Sequence, residues 1–290
     1  NAPAILRGMN IFVYANQKWV VAAGQRLDVN SDVYYTDRQL MIQGPGETVF
    51  GGNVYMGSDF RANGNANVTF NSGNLTSTFV AITGDASGGG NFTWNSPGTL
   101  NPGTRLYVGW GATGVFTQNA GTVGSDSSDL EIGYSTLGTI GTYNLNGGVL
   151  KASAINAHYG GVVQPGCKLN FGGGMLLATG NLAPDGGLDY TVQDNKSAVI
   201  HTGTYQVALP GDIANASQSV SNGITKFGSG TLVLSGANTY SGVTGVSEGT
   251  LRLEGGPNRL PTATSLQMSN VSGVVVDPNG QNQTVGSRIY

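Results

Sequence analysis

Short stretches of alternating apolar and polar residues, separated by glycine-rich bends, recur along most of this chain of 290 residues. Residues 106–108 (LYV) and 115–118 (VFTQ) are typical, and a period of two predicts strands with one buried face. The bends combine Asn and Gly, because glycine adopts positive φ at little cost and asparagine tolerates it. The pattern therefore predicts an all-β fold made of many short strands and tight turns.

The strands recur as repeated units in a constant order. Residues 106–123 (LYVGWGATGVFTQNAGTV) match residues 130–150 (LEIGYSTLGTIGTYNLNGGVL), at an offset of 24 positions before the central bend and 27 after it. Residues 169–176 form a weaker third copy, and residues 67–75 resemble residues 91–100. Units of this length with two or three strands predict the coils of a β-solenoid. A β-sandwich would also contain many short strands, but it does not explain why the units recur in order.

Stacked coils would bury an apolar side that one coil cannot bury alone. At about 24 residues a coil, the chain would make roughly 12 coils stacked about 4.8 Å apart. The charged fraction of only 10% fits this arrangement, because stacked like charges repel each other. We also expect Asn119 and Asn146, at equivalent bends, to hydrogen-bond through their amides.

Two regions depart from the repeat pattern. Residues 1–50 hold more charged and bulky side chains, so we predict an N-terminal segment that caps the solenoid, followed by β-helix repeats over residues 51–290. Residues 183–222 lack a clean repeat. They are expected to form a long-looped coil, a β-hairpin insertion or the junction between two repeat types.

A longer motif lies in residues 224–255, ITKFGSGTLVLSGANTYSGVTGVSEGTLRLEG. Its pattern K-x-G-x-G-T-L-V-L-S-G-x-N-T-Y-S-G-x-T-x-V-x-x-G-T-L resembles the autotransporter-associated β-strand repeat, also called the passenger-associated transport repeat. The resemblance implies a right-handed parallel β-helix that is exported and displayed at the bacterial surface. It also implies that the motif assists export and folding and carries no catalytic residues. A looser resemblance extends over residues 65–290.

Charge and composition narrow the possible partners. The 13 Lys and Arg residues are scattered and the net charge is −3, so we expect no nucleic-acid partner. No apolar run reaches the roughly 18 residues of a membrane-spanning helix. Cys167 is the only cysteine, which excludes a disulfide within the chain and a Cys/His metal motif. We predict no cofactor and no metal, and the composition indicates an extracellular or bacterial cell-surface protein.

Aromatic residues in the repeated units are the candidate contact residues. Trp110 and Tyr134 follow the matched Gly109 and Gly133, so they are expected to be neighbours on one face of adjacent coils. Exposed aromatic side chains of this kind bind glycans or protein partners, although half-buried packing on the solenoid is the alternative. The candidate surface or glycan contacts are Trp94, Trp110, Tyr134 and Tyr143.

An enzymatic function would depend on the acidic residues. A glycosidase needs two carboxylates about 5–10 Å apart across a cleft. The acidic candidates are Asp126 and Asp129, near Arg105 and Trp110, and the second set Asp185, Asp189 and Asp194. On the simpler interpretation these are solvated turn residues. His158 and His201 have no Ser or Asp partner at the spacing of a catalytic motif.

We therefore predict a non-enzymatic extracellular β-helix with a structural or adhesive function, which self-assembles into surface fibres or binds a cell-surface or glycan partner. The alternative is a polysaccharide-binding or polysaccharide-degrading β-helix.

Overall fold

The computed structural model describes residues 2–85, 88–135, 138–159, 162–184, 187–217 and 223–289. Within these residues the chain forms 37 β-strands and no helix. The strands stack as a parallel β-solenoid of about 12 turns, which confirms the fold that the repeats predict.

The first half of the chain contributes eighteen strands within the described residues. In chain order they are β1 (Ala4–Leu6), β2 (Ile11–Val13), β3 (Gln17–Val20), β4 (Arg26–Val29), β5 (Val33–Tyr35), β6 (Leu40–Gln43), β7 (Glu47–Phe50), β8 (Val54–Met56), β9 (Asp59–Asn63), β10 (Asn67–Phe70), β11 (Leu75–Thr76), β12 (Phe79–Asp85), β13 (Gly88–Gly89), β14 (Asn91–Trp94), β15 (Thr99–Asn101), β16 (Arg105–Trp110), β17 (Gly114–Gln118) and β18 (Thr122–Val123).

The described part of the second half contributes nineteen more. They are β19 (Asp129–Tyr134), β20 (Gly141–Leu145), β21 (Val149–Ala152), β22 (Ala154–Asn156), β23 (His158–Tyr159), β24 (Val162–Val163), β25 (Cys167–Phe171), β26 (Met175–Ala178), β27 (Leu188–Val192), β28 (Ser197–His201), β29 (Gln206–Leu209), β30 (Ile213–Asn215), β31 (Gly223–Phe227), β32 (Thr231–Leu234), β33 (Val243–Val246), β34 (Thr250–Leu253), β35 (Ser265–Met268), β36 (Val275–Asp277) and β37 (Ser287–Ile289).

One coil is one turn of the chain, and it contributes one strand to each of the three faces of the solenoid. The first face carries β1, β4, β7, β10, β14, β17, β20, β25, β27 and β30 in one parallel sheet. The second face carries β2, β5, β8, β11, β15, β18, β21, β26, β28, β31, β33, β35 and β37. The third face is divided between a sheet of β3, β6, β9, β12, β16, β19 and β22 and a sheet of β29, β32, β34 and β36.

Short antiparallel pairs leave the third face at two places. β13 pairs with the end of β12, and β23 pairs with β24 directly after β22. The parallel stacking resumes beyond them, where Leu182 forms a bridge to Val207 of β29.

A ladder of aromatic rings fills the inner side of the first face. Phe50 stacks on Phe70 at 4.6 Å between ring centroids, and the stack continues through Phe92 and Phe116 to Tyr143. The successive separations after the first are 5.6, 5.1 and 4.9 Å, and all five side chains are buried. Each ring covers the face of the next, so the stack excludes water along five coils.

Asparagine side chains form a second ladder at the bends that follow the first face. Asn95 donates to Asn71 at 3.0 Å, Asn119 donates to Asn95 at 2.7 Å, and Asn146 donates to Asn119 at 2.9 Å. The expected bond between Asn119 and Asn146 is thus confirmed. Each amide uses its donor toward one coil and its oxygen toward the next, which ties consecutive bends together.

The two regions that break the repeat pattern also belong to the stack. β1 to β6 lie in the same three sheets as later strands, so residues 1–50 form coils of the same stack. Their role as the cap of the solenoid stays a prediction. Their alternating residues pair in the same parallel register as the repeats, and the first coil leaves Phe12 and Tyr14 exposed. Residues 188–215 likewise form four parallel strands, and the third face changes sheet just before them. Residues 185–186 and 218–222 lie outside the described part.

We predict that Phe116→Ala destabilises the solenoid by about 3–5 kcal/mol, because it removes a ring that is packed between two others. The measurement is urea unfolding followed by circular dichroism. Val115→Ala is the matched control, since Val115 lies on the outer side of the same strand, and it should cost below about 1 kcal/mol. Equal losses for the two variants would contradict the inner ladder.

Candidate functional site

A group of charged and aromatic side chains lies on the outside of the third face. Alternation along β9, β12, β16 and β19 points these residues outward, and the parallel register brings them to neighbouring positions. We call the group the arginine–aromatic patch, and it consists of Arg61, Phe79, Arg105, Tyr107, Trp110, Asp129, Glu131 and Tyr134.

A small residue makes room at the centre of the patch. Ala81 pairs in register with Arg61 on one side and Tyr107 on the other, and it is completely buried although it points outward. The Arg61 side chain therefore extends across neighbouring rings. Its guanidinium carbon lies 5.5 Å from the ring centroid of Phe79 and 5.0 Å from that of Trp110. Both distances are within the range of a cation–π contact.

Glycine bulges turn the two predicted aromatic residues outward. Gly109 has φ of 83° and Gly133 has φ of 77°, a conformation that side chains other than glycine rarely adopt. A Cβ at Gly109 would also lie 2.8 Å from the carbonyl oxygen of Ile140. After the bulge Trp110 pairs with Tyr134, and their rings meet edge to face at 5.7 Å.

Tyr107 joins the aromatic side chains into one cluster. Its ring centroid lies 4.7 Å from that of Trp110, 4.9 Å from that of Tyr134 and 5.7 Å from that of Phe79. Trp110 and Tyr134 are half-buried, so the predicted neighbours on adjacent coils are present and partly accessible. Their role in binding stays a prediction.

Asp59 holds Arg61 in place. Its carboxylate accepts from Arg61 Nε at 2.6 Å and from the Ser58 hydroxyl at 2.7 Å, and Gln39 Nε2 also donates to it. Burial disfavours the charged form of Asp59, but the hydrogen bonds from Ser58, Gln39 and Arg61 and the charge of Arg61 outweigh it and lower the pKa. Asp59 is thus ionised at neutral pH and holds Arg61 in one position.

Arg105 is held by the opposite edge of the patch. Its Nε lies 3.7 Å from Asp129 and 3.8 Å from Glu131, and its Nη1 donates to the Tyr107 hydroxyl at 3.3 Å. The bond to Tyr107 and the nearby charges raise the Arg105 pKa against the effect of burial. An open groove of about 540 Å³ lies here, lined by Gly103, Thr104, Arg105, Tyr107, Ser127 and Asp129.

Two of the four predicted contact residues are wrong as surface groups. Trp94 and Tyr143 are fully buried, because each occupies an inward position of its strand. Trp94 aligns with Phe70 in the inner ladder, and the Tyr143 hydroxyl donates to Gln118 Oε1 at 2.7 Å in the core. Their alignment with Phe positions was a usable signal, since aligned residues of stacked coils share a face.

The acidic candidates near the patch are engaged by other side chains. Asp126 pairs with Lys151 at 2.8 Å, and Asp129 accepts from Ser153 at 2.8 Å in addition to its contact with Arg105. Glu131, which the sequence did not single out, accepts from Asn156 at 3.2 Å.

The remaining polar candidates are scattered over other coils. Asp189 is exposed on β27, and Asp194 accepts from Ser217. His201 Nδ1 accepts from the Gly203 amide, and Asp185 lies outside the described residues. No group of three His, Cys, Asp or Glu residues suited to a metal ion occurs in the part of the chain that the structure describes.

A second region of interest is the stack of β31 to β34. β32 pairs with β34 so that Leu232 lies beside Leu251 and Leu234 beside Leu253, so the two Gly-Thr-Leu segments are equivalent strands of successive coils. Residues 224–253 match the passenger-associated-transport-repeat family. The segment is a passenger-associated transport repeat. With the β-solenoid around it, the repeat fits an autotransporter passenger-like β-helix.

Further comparisons add no relatives. A search of the curated proteins finds no match to the chain, and a search of the solved structures finds none. Over the described residues, no helix has the length and apolar character needed to cross a membrane.

The repeat contains a buried lysine for which the sequence analysis found no role. Lys226 occupies an inward position of β31 between Ile200 and Val246 of adjacent coils, and its side chain has no exposed surface. Its Nζ donates to the carbonyls of Gly228 at 2.7 Å and Glu248 at 2.9 Å. Further acceptors are Thr202 Oγ1 at 3.2 Å and the Phe227 carbonyl at 3.4 Å.

The bend of the repeat holds a second buried polar group. Asn238 accepts from the Ile213 amide at 2.9 Å and donates to the Arg259 carbonyl at 2.7 Å, so it joins the preceding and following coils. The Tyr240 hydroxyl lies 2.6 Å from Thr244 Oγ1, which lies 3.0 Å from Thr264 Oγ1. The buried polar side chains of the motif are therefore hydrogen-bonded inside the solenoid, in part to groups of the neighbouring coils.

We predict that Lys226 makes the stability of the fold depend on pH. Burial lowers its pKa from 10.5 to about 8, against the opposing charge of Glu248. Between about pH 8 and pH 10.5 the unfolded chain binds this proton more than the folded chain does, so the Lys226 contribution to stability rises with pH. The free energy of unfolding of Lys226→Met, measured over this window, should lack that rise.

Lys168→Met provides the control, because Lys168 is exposed on β25. Its profile should run parallel to that of the wild type. A Lys226→Met profile that is also parallel to the wild type would disprove the assignment.

Proposed function

We propose that this chain is a non-enzymatic, extracellular segment of a passenger protein, displayed at the bacterial surface with a structural and adhesive function. The observation that carries the proposal is the passenger-associated transport repeat, which is continuous with the parallel coils before and after it. The repeat family is one of autotransporter passengers, and this supports export of the chain.

The inner ladders support the structural part of the proposal. Parallel strands link every coil to its neighbours, and Phe50 to Tyr143 are stacked without interruption on the first face. Such a stack resists bending and presents outer side chains at regular intervals of about 4.8 Å. A stiff rod of this kind suits a protein that holds binding groups away from a cell.

The charge pairing of the patch supports a binding function over a catalytic one. A general acid or base must be free to exchange a proton with the substrate. Asp129 and Glu131 are instead placed against Arg105, and Asp126 is placed against Lys151. These contacts occupy the carboxylates with cationic partners.

Polysaccharide binding is the second candidate function. The arginine–aromatic patch favours it, because aromatic rings contact the apolar faces of sugars while charged and hydroxyl groups bind sugar hydroxyls. The groove beside Arg105 and Tyr107 also contains Thr104 and Ser127, which supply such hydroxyl groups.

Self-association into fibres belongs to the same proposal. On the second face Phe12, Tyr34 and Tyr55 stack at 5.2 and 5.0 Å on the outside of the coils. Phe12 is 58% exposed and Tyr14 is 77% exposed, and contiguous exposed aromatic surface is typical of protein–protein contacts.

We expect intact cells that produce the natural protein to bind an antibody raised against this chain. Protease added outside the cells should remove the signal, because a displayed passenger is accessible. The measurement is flow cytometry before and after protease treatment. Labelling that requires permeabilised cells would contradict surface display.

We also expect the purified chain to associate as its concentration rises, and Phe12→Ser with Tyr14→Ser to weaken the association. Sedimentation velocity measures the change in the weight-average mass. Thr76→Ser is a control on the same outer face, where Thr76 pairs with Tyr55. A single monomeric species at all concentrations would overturn the fibre proposal.

A further inference from the structure

Arg61 has an immobilised guanidinium with free donors. Its Nε is bound to Asp59, and its plane lies near the rings of Phe79 and Trp110. The two terminal nitrogens have no hydrogen-bond partner among the described residues. The side chain is thus restrained before any ligand binds, while its terminal N–H groups keep their hydrogen-bonding capacity.

The contact with Arg61 changes the role of Trp110. A sugar that stacked on this ring would compete with the guanidinium at 5.0 Å from the ring centroid. Trp110 therefore acts as a support for Arg61, and the ligand-facing group is the arginine. Guanidinium groups held on aromatic rings suit planar anions, because their parallel N–H bonds match the two oxygens of a carboxylate.

The other cations of the region have partners that occupy them. Arg105 contacts Asp129, Glu131 and Tyr107, and Lys151 contacts Asp126. Arg61 is the cation whose terminal donors stay open, so an anionic group is expected at its end of the patch. The groove at the opposite end, by Thr104 and Ser127, suits the hydroxyl groups of a longer ligand.

We propose that the arginine–aromatic patch binds an acidic polysaccharide, with the carboxylate of one uronic-acid residue held by the terminal nitrogens of Arg61. Neighbouring sugars lie over Tyr107 and Tyr134 toward the groove. The inference rests on polysaccharide binding as the second candidate function, and it names the class of sugar and the residue that recognises it.

The experiment measures binding of the purified chain to two linear probes of similar length, polygalacturonate and neutral galactan, by isothermal titration calorimetry. Polygalacturonate should bind more tightly than galactan. Arg61→Gln should weaken binding of polygalacturonate by about tenfold or more, since a charge-assisted bidentate contact is lost. Arg61→Lys should recover only part of the loss, because lysine keeps the charge without the planar pair of donors.

Two further variants separate recognition from charge and from folding. Trp110→Leu should weaken polygalacturonate binding although Arg61 is retained, because the guanidinium loses its support. Arg26→Gln should leave binding unchanged, since Arg26 is on the first face and pairs with Asp28 and Glu47. Circular dichroism establishes that each variant keeps its strand content before binding is compared.

The outcomes distinguish the inference from the proposed function. Binding of galactan that depends on Trp110 but not on Arg61 would overturn the acidic ligand and support a neutral one. Binding of sulfated galactan but not polygalacturonate, lost in Arg61→Gln, would overturn the carboxylate. Absence of binding to every probe would overturn both the inference and polysaccharide binding, while surface labelling of cells tests the passenger function separately.

Discussion

The parallel hydrogen-bond register between successive coils is the constraint on which the rest of the structure depends. It places each side chain directly over its counterpart one coil away, so an inward residue must suit the residues above and below it. Phe70 meets Phe50 and Trp94 in this way, and Asn119 meets Asn95 and Asn146. Because the same register operates on both sides of the strands, it also brings distant outer residues together.

The arginine–aromatic patch follows from this geometry. Arg61, Tyr107 and Glu131 are separated by tens of residues in the chain, yet they occupy one row of the third face. A glycine bulge in each of two coils then adds an aromatic ring to the row. The solenoid thus assembles a surface site from short local segments, without a loop that reaches across the molecule.

The sequence predicts the solenoid and the bond between Asn119 and Asn146, because each depends on residues that repeat. It placed Trp110 and Tyr134 as neighbours for the same reason. The prediction that Trp94 and Tyr143 are surface residues was wrong, since the repetition of an aromatic residue does not show which face of its strand is inward. The inward face becomes evident when the strands of all coils are aligned in register.

Arg61 was missed for a different reason. Its importance depends on Ala81, a small residue in the next coil that leaves space for the guanidinium, and neither residue repeats. Residues 1–50 depart from the repeats in charge and bulk, yet their strands pair in the same parallel register as later coils. Those residues lie on outer positions or inside the ladder, as they do in later coils.

The buried ammonium of Lys226 affects the register in which the coils pair. A ladder of interchangeable aliphatic residues tolerates a slip by one whole coil, because Leu over Leu and Val over Ile pack about equally well. A slip at Lys226 would instead separate its charge from Thr202, Gly228 and Glu248, which come from three different segments. Leaving a charge buried without these acceptors costs several kcal/mol. One lysine therefore fixes the register in which the coils of an otherwise uniform stack pair with one another.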